Sequence, residues 1–384
     1  MEHSRRFRAA VRVGVGAVLV NTASAACVAL VACTSEAPAP AGASCPFAPG
    51  AEPPAWVGPP DTSPPAGDTV AFAITKIYLG RHDLDGEYDD DAWASYGFNL
   101  DGLVSNGVRG CECSPVPGAY PLADGANGID NNFGRDVMAV WSGLEFVSPE
   151  VVNDAALAAG DINLLFELEG LRPRQMASYP LGARVLAAAP LASPPAFDGT
   201  DVFPFDWTET QGYFTTAYVS GDVAVLRGAT VPMSLVVKGD RVVVHLRNAV
   251  VTLELDEARQ HVTLGMLGGV LDRDELAGIA YLTSNGPYCL DGTAERLAEQ
   301  LRAIVEIRSD GAQSPELPCD AVSAGVAFRG ARIVLGGPAT PPPAAAGCWA
   351  SGGAGGGAGG GGGGAGGGGA GGGGAGGGGA GAGG

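Results

Sequence analysis

The feature that most constrains how this chain folds is a series of short β-rich runs between Gly212 and Gly265. The runs read YFTTAYV, VAVL, VPMSLVV, RVVVHL, AVVTLEL and HVTLG, with Gly-Asp, Arg-Gly and Lys-Gly-Asp sequences between them. Glycine and aspartate in such positions are typical of tight turns. Strands this close together are joined by hairpins rather than by crossover helices, so the pattern predicts an antiparallel sandwich or barrel.

Segments on both sides of this region extend the core. Three further strands are predicted at Thr69–Leu79, at residues 161–170 and at Ala321–Leu335. Helices are predicted at the apolar stripe from Phe133 to Leu144, after Ser148-Pro149-Glu150, after Asp272-x-x-Glu275 and over Thr293–Ile307. The chain is therefore expected to be mainly β, with a few edge helices, in one sandwich or barrel-like domain with disordered termini.

Composition divides the chain into four parts. Residues 1–32 form a basic and then apolar leader, 33–67 are rich in Pro and Ala, 68–338 form the β-rich domain, and 339–384 pass from Pro-rich sequence into Gly with scattered Ala. Proline cannot donate to a β-ladder, so 33–67 are predicted to be an extended tether. Polyglycine buries no side chain and has high backbone entropy, so the tail is predicted to be disordered.

The leader predicts export. Four arginines stand at its start, and its apolar run ends in Leu30-Val31-Ala32-Cys33, an order typical of a secretory signal peptide. The ending resembles a bacterial lipobox, which makes Cys33 the expected lipidation site and the lipid bilayer an expected partner through an acyl anchor. Cleavage after Ala25 or Ala26 and an uncleaved membrane anchor are the alternatives. We expect a lipid-anchored protein of the cell envelope, at the outer membrane or cell surface.

Six cysteines follow Cys33, namely Cys45, Cys111, Cys113, Cys289, Cys319 and Cys348. An even number in an exported chain predicts disulfides. Cys289 and Cys319 flank the predicted helix Thr293–Ile307 and are the expected pair. Cys111 and Cys113 are not expected to bond each other, because one intervening residue gives poor geometry, so each is expected to pair with a partner such as Cys45 or Cys348. A zinc site is the weaker alternative, because two C-x-x-C halves are missing.

Asp, Asn and Gly dominate the stretch from His82 to Gly134. Carboxylates this dense repel one another unless they are solvated or bridged by a hard cation, and calcium takes about six to eight oxygen ligands from flexible loops. The expected calcium ligands are Asp83, Asp85, Glu87, Asp89, Asp91, Asp101, Asp124, Asn127 and Asp130. An EF-hand does not fit, because Gly86 at the sixth loop position puts Arg81 first and Ala92 twelfth. Solvated turns without an ion are the alternative.

The charge balance narrows the choice of partners. The formal net charge is −19 at pH 7, and Lys76 and Lys238 are the only lysines. Phosphate backbones are bound by clustered Lys and Arg, so nucleic acid is not an expected partner. The acidic surface is compatible with divalent cations.

Catalytic signatures are absent from the sequence. It contains no G-x-S-x-G elbow, no H-E-x-x-H and no P-loop. His245 and His261 fall in predicted strands and are expected to be structural. Paired carboxylates could support a glycosidase mechanism, but no signature selects two of the candidates Glu167, Glu169, Asp206 and Glu209.

Several phrases together carry a family resemblance. They are the YLG strand before the Asp-rich loop, YGFNLDGL at 96–103, GIDNNFG at 128–134 and CDAVSAGVAF at 319–328. Over most of 70–335 the chain resembles a family of exported, often lipid-anchored proteins of myxobacterial type, to which no activity is assigned. The resemblance implies export and a shared single domain.

The sequence therefore favours a non-enzymatic cell-envelope lipoprotein that binds a glycan or another envelope component, with calcium ordering its acidic loops. An extracellular, carboxylate-dependent hydrolase and a structural surface protein are the alternative functions.

Overall fold

The computed structural model describes residues 51–58, 67–107, 112–117, 119, 122–144, 147–175, 177–283, 292–311 and 313–340. The strands are β1 (Asp68–Tyr78), β2 (Leu164–Leu171), β3 (Tyr179–Pro180), β4 (Gly182–Ala187), β5 (Val202–Asp206), β6 (Gly212–Tyr213), β7 (Thr216–Ser220), β8 (Val223–Val237), β9 (Asp240–Leu255), β10 (His261–Asp272) and β11 (Ala321–Ala339). The α-helices are α1 (Met138–Ser142), which continues a π-helical turn at Phe133–Val137, α2 (Pro149–Ala159), α3 (Arg273–Thr283) and α4 (Thr293–Ala303). Two short 3₁₀ turns lie at Ala92–Ser95 and Ala126–Gly128.

Several predicted features lie outside these described residues. They are the leader at 1–32, most of the tether, the tail beyond Thr340, and Cys33, Cys45, Cys111, Cys289 and Cys348. Their predictions stay predictions.

The strands of the described ranges form one curled sheet, a half-barrel with the order β3-β7-β8-β9-β10-β11-β1-β2-β4-β6. Neighbours pair antiparallel, and β5 adds to β11 in parallel. Only Leu181 separates β3 from β4, yet β3 pairs with β7 and β4 with β2. Consecutive residues thus connect the two ends of the sheet. The predicted mainly β, antiparallel fold is confirmed, in its barrel-like form.

β8 and β9 are longer than the sequence predicts. The expected turn at Arg227-Gly228 is wrong: it is a β-bulge inside β8, where the register with β9 shifts between Arg227 and Ala229. Gly228 has a φ of +81°, which a glycine adopts without strain. The turn at Lys238-Gly239 is confirmed, and both residues have positive φ, as two-residue hairpin loops require.

The half-barrel and its helices share one core. The rings of Phe166 and Phe328 stack with centroids 5.5 Å apart, and Phe72 lies opposite Phe166 on the neighbouring strand. Phe133 and Trp141, from the predicted helical stripe, meet edge to face at 5.4 Å. All five are buried, and each contributes about 2–3 kcal/mol through removal of apolar surface from water.

Helix α2 takes the place of a strand beside β1. The pairing of β1 with β2 ends at Ala73. Farther along β1, the Ile77 amide donates to Asp154 Oδ1 at 2.9 Å. Just after the end of β1, the Leu79 amide donates to the buried carboxylate of Glu150 at 2.5 Å. Unsatisfied buried amides are costly, so these helix carboxylates complete the ladder that β2 leaves unfinished.

The same helix also contacts β8. Asn153 Oδ1 accepts a hydrogen bond from the Val236 amide at 2.8 Å, and Asn153 Nδ2 donates to the Val236 carbonyl at 3.1 Å. α2 is therefore part of the barrel wall, in contrast to the predicted edge helices. It begins after Ser148 with Pro149 in its first turn, as predicted, although Ser148 makes no capping hydrogen bond.

Candidate functional site

The phrases that carry the family resemblance meet at the edge of β11, beyond the last residue that pairs with β1. Asn131 Oδ1 accepts hydrogen bonds from the Gly325 amide at 2.8 Å and the Gly134 amide at 2.9 Å. The Asn132 amide donates to Ser323 Oγ at 2.9 Å. Asn131, Asn132 and Ser323 are all buried. The two asparagines thus satisfy a strand edge that has no neighbouring strand there.

Glycine permits a close crossing at this point. A Cβ on Gly325 would lie 2.1 Å from the Tyr96 carbonyl oxygen, a distance that no side chain tolerates. Gly97, next in the crossing segment, has a φ of +115°. The two glycines therefore allow the YGFNLDG segment to lie directly on β11.

A group of carboxylates surrounds this crossing. We call it the acidic cluster, and its members are Asp101, Glu112, Asp124, Asp130 and Glu306. Burial raises the pKa of every member. Three of the predicted calcium ligands, Asp101, Asp124 and Asp130, are thus brought together.

Asp130 is a buried carboxylate of the acidic cluster, at 5% exposure. Its Oδ2 accepts hydrogen bonds from the Leu100 amide at 2.6 Å and the Asp101 amide at 3.3 Å. Burial raises the pKa of Asp130 well above its usual range, and the charges of Asp101 and Asp124 add to the rise. Ionising this carboxyl group is therefore costly.

Asp124 and Glu306 show the same effect. Burial raises the pKa of Asp124 to about 7, and the negative charges of Glu112 and Asp101 add to the rise. A hydrogen bond of 2.5 Å from the Ser105 amide opposes it. Burial raises the pKa of Glu306 to about 8, although Glu306 accepts hydrogen bonds from Ser323 and Asn132. Near neutral pH the acidic cluster is therefore partly protonated in the absence of a bound cation.

Arg135 is the basic side chain that offsets this charge. Its guanidinium donates to the Ala123 carbonyl at 2.6 Å and to Asn132 Oδ1 at 3.0 Å, and it lies 5.0 Å from the centroid of the Trp93 ring. Its charge lowers the pKa of both Asp124 and Glu306. One guanidinium leaves the acidic cluster with an excess of acidic groups.

The acidic cluster borders a surface groove. A cavity of about 270 Å³ is lined by Asp101, Asn99 and Leu100 on one side and by Arg227, Asn248 and Ile307 on the other. Asp101 belongs to both the groove and the acidic cluster. A ligand in the groove would therefore contact a carboxylate whose ionisation depends on the acidic cluster.

The remaining predicted ligands lie elsewhere. Asp83 Oδ1 accepts hydrogen bonds from the amides of Asp85 and Glu87, and Asp89 Oδ1 accepts one from the amide of Asp91, at 2.9–3.0 Å. Side chains that bond to their own turns in this way are typical of solvated loops.

Asn127 occupies a turn position. It is exposed and has a φ of +56°, and its carbonyl accepts a hydrogen bond from the Ala51 amide at 3.0 Å. Within the described ranges, no group of three or more His, Cys, Asp and Glu side chains is arranged to hold a metal ion. Of the nine predicted ligands, five therefore lie in the loop at 83–91, three in the acidic cluster, and Asn127 in a separate exposed turn.

The disulfide differs from the expected pair. Cys319 is bonded to Cys113, with their Cα atoms 5.0 Å apart. The predicted Cys289–Cys319 pair is therefore wrong, and so is the expected pairing of Cys113 with Cys45 or Cys348. The Ser114 amide donates to the Leu317 carbonyl at 2.7 Å and the Cys319 amide donates to the Ser114 carbonyl at 2.9 Å. These bonds place the two segments side by side, and they hold Glu112 next to the rest of the acidic cluster.

Sequence reasoning missed Glu112, Glu306 and Arg135. A signal existed for Glu306, which is the one charged residue in the apolar run Ile304-Val305-Glu306-Ile307. A charged residue in such a run is placed near the core and needs partners there. Glu112 and Arg135 carry no comparable local signal.

The two strand histidines are paired with carboxylates. His245 lies 2.6 Å from Glu275 and 3.3 Å from Glu209, and hydrogen bonds to these two residues raise the pKa of His245 to about 9. His261 lies 2.9 Å from Asp256. These carboxylate contacts of His245 and His261 were not predicted, and the expected structural role of the two histidines stays a prediction.

Comparison of the chain with family models, curated proteins and solved structures gives no match. The family resemblance stays a prediction. Among the helices of the described residues, none has the length and apolar character needed to cross a bilayer.

Proposed function

We propose that the protein is a non-enzymatic binding module of the cell envelope, in which calcium bound at the acidic cluster orders the loops beside the groove. The observation that carries this proposal is the convergence of five carboxylates with raised pKa, of which only Asp124 and Glu306 are offset by the charge of Arg135. A hard divalent cation would remove both their mutual repulsion and the cost of burying them. Glycan or another envelope component is the proposed ligand of the groove.

The donor set suits calcium in its chemistry. Calcium prefers carboxylate, amide and backbone carbonyl oxygens, and it accepts irregular geometry. Asp101, Asp124 and Asp130 supply carboxylates, and Asn99 supplies an amide oxygen beside them. Since these side chains are not arranged as ligands, binding would draw the loops that carry them closer together.

The test is a thermal melt of the full chain with calcium and with a chelator. At a calcium concentration about 100 times the dissociation constant, the stabilisation is about 2.7 kcal/mol, or roughly 5–10 °C for a domain of this size. The double variant Asp101→Asn/Asp124→Asn should lose this gain. The matched control Asp85→Asn/Glu87→Gln, in the exposed loop, should keep it. Equal midpoints with calcium and chelator in the unaltered chain would contradict the calcium proposal.

A carboxylate-dependent hydrolase is the second candidate. The observation that favours it is Asp124, whose pKa of about 7 suits a general acid and which lies among other carboxylates near a groove. Among the carboxylates named earlier, Glu167, Asp206 and Glu209 are instead bound to basic side chains. Turnover of chromogenic glycosides that disappears in Asp124→Asn would favour the hydrolase, and no turnover would leave the binding role.

The anchoring proposal rests on Cys33 and the leader before it. Fractionation of cells that express the full chain should place the protein with membranes, and Cys33→Ala should release it into the soluble exported fraction. Membrane retention of the Cys33→Ala variant would favour the uncleaved anchor instead. A structural surface role would require the glycine tail, and retention without the tail would argue against that role.

A further inference from the structure

We propose that the face that holds Ala51–Gly58 is a binding site for extended, proline-rich peptides, which this segment of the chain occupies in cis. We call Ala51–Gly58 the strap. The partner would be a peptide with an acidic residue, two consecutive prolines and a tryptophan, as in the strap itself. The inference deepens the proposed binding role by naming a class of partner, and it depends on neither calcium nor the lipid anchor.

Side-chain hydroxyl groups of the domain form hydrogen bonds with the backbone of the strap. The Tyr218 hydroxyl donates to the Pro54 carbonyl at 2.6 Å, and the Ser220 hydroxyl donates to the Ala55 carbonyl at 3.0 Å. The Val57 amide donates to Ser178 Oγ at 2.8 Å. Hydroxyl groups that bind peptide carbonyls in this way recognise any extended chain whose backbone is free of ladder partners.

The N-terminal end of the strap is held by backbone groups. The Ala51 amide donates to the Asn127 carbonyl at 3.0 Å, and the Asn99 amide donates to the Ala51 carbonyl at 3.1 Å. Both partners lie in the loops that carry the acidic cluster. The strap and the acidic cluster thus share two loops.

Side chains add selectivity. Trp56 meets Tyr218 edge to face with ring centroids 5.6 Å apart, and Glu52 lies 3.2 Å from Arg227. Between these contacts, Pro53 and Pro54 have fixed φ and no amide donor, so they lose little entropy on docking. Aromatic residues around consecutive prolines are the usual basis for recognition of proline-rich peptides.

Open space flanks the strap on both sides. One cavity of about 290 Å³ lies between the strap and Leu264 and Met266 of β10, and the groove of about 270 Å³ lies toward Asp101. Both are bordered by Glu52, Pro53 and Phe98. A peptide with larger side chains at these positions would fill space that the strap leaves open.

Covalent attachment favours the strap over a free peptide. Residues 59–66 join the strap to Gly67, and a link this short gives an effective concentration in the millimolar range. A partner peptide must therefore bind better than the strap, or the strap must be weakened first. This requirement gives the test its design.

The experiment uses a fluorescently labelled peptide with the sequence AEPPAWVG and measures its anisotropy on titration with the full chain. The strap-weakened variant Glu52→Ala/Trp56→Ala should bind the peptide at least ~10-fold more tightly than the unaltered chain. Addition of Tyr218→Phe, which removes one hydroxyl donor, should weaken binding ~2- to 10-fold. A peptide with Ala in place of Trp is the matched control and should bind more weakly.

Hydrogen exchange of backbone amides gives a second measurement of peptide binding at the strap site. The amides of Asn99 and Ser178 donate to strap carbonyls, so they should lose protection from hydrogen exchange in the strap-weakened variant and regain it when peptide is added. Equal affinity for the two forms of the chain, or for the two peptides, would overturn the proposal. Dimerisation of the unaltered chain at high concentration, without binding of the peptide, would also overturn the proposal. That result would indicate that two copies of the chain exchange their straps. Calcium and chelator are compared in parallel, so failure of the calcium proposal is seen separately.

Discussion

Replacement of Asp124 by Asn tests the electrostatics of the acidic cluster most directly. The substitution removes one negative charge but keeps an oxygen that can accept the hydrogen bond from the Ser105 amide. Burial and the neighbouring carboxylates make the ionised form of Asp124 unfavourable in the folded state. We expect Asp124→Asn to stabilise the protein at pH 8 in the presence of a chelator.

The magnitude follows from the shift in pKa. The pKa of Asp124 is raised from 3.8 to about 7, and each unit corresponds to about 1.36 kcal/mol. Because Asp124 is only partly buried, solvent screening reduces the sum, and we expect a gain of about 2 kcal/mol. The folded state binds the proton more tightly than the unfolded state, so the stability of the unaltered chain falls as pH rises from about 4 to about 7.

Urea unfolding of the full chain at pH 8 and pH 4.5 measures this gain. The stabilisation by Asp124→Asn should shrink to roughly half at pH 4.5, where part of the ionisation penalty is already relieved by protonation of the folded state. The control Asp85→Asn, in the exposed loop, should change the free energy of unfolding by less than about 0.5 kcal/mol at either pH. With calcium, the unaltered chain should be more stable than Asp124→Asn, since the variant lacks a proposed calcium ligand.

Two results would refute this reasoning. One is a difference between Asp124→Asn and the unaltered chain that is the same at both pH values. The other is destabilisation by Asp124→Asn at pH 8 in chelator.

Three further predictions concern packing and the disulfide. Gly325→Ala should cost at least about 2–3 kcal/mol in thermal melts, because its Cβ would meet a backbone carbonyl at 2.1 Å. Gly278→Ala is the control, because Gly278 lies in helix α3 and an added Cβ would meet no atom within 4 Å. It should raise the free energy of unfolding by about 0.5–1 kcal/mol. Equal effects of Gly325→Ala and Gly278→Ala would contradict the crossing at β11. Trp141→Ala should cost about 3–5 kcal/mol in urea unfolding, since the side chain is buried; a loss below 1 kcal/mol would mean that Trp141 is not in the core. Peptide mapping without reductant should show Cys113 linked to Cys319. Reduction of this disulfide should lower the free energy of unfolding by about 2–5 kcal/mol, because the bond spans 206 residues. A different partner for Cys319 would refute the pairing.

Local pattern was enough to predict the long strands and most helix starts, but β3, β4 and β5 were not predicted. Asp272 Oδ1 accepts hydrogen bonds from the amides of Asp274 and Glu275 at 2.9 and 3.1 Å, as the predicted cap requires. The alternation in β1 places Phe72 and Ile74 in the core. Such features depend on residues a few positions apart, so the sequence alone determines them.

Features that depend on distant residues were not predictable in the same way. Arg227-Gly228 has the composition of a turn, but pairing with β9 on both sides of Gly228 makes it a bulge. The Cys113–Cys319 bond follows from backbone pairing between segments about 200 residues apart. The acidic cluster likewise takes Glu306 from beyond α4, although three of its five members were predicted as ligands. Position in the fold, rather than local composition, separates these carboxylates from those of the exposed loop.

Helix α2 has a consequence for how the protein opens. Its side chains bind the amides of Ile77 and Leu79 on one side and Val236 on the other, so these strand protons can exchange with solvent only when the helix leaves. Two strands that are far apart in the sequence therefore open together with a helix as one cooperative unit. Departure of α2 would therefore free backbone amides beside two distant strands at once while leaving the β9–β10–β11 ladder intact.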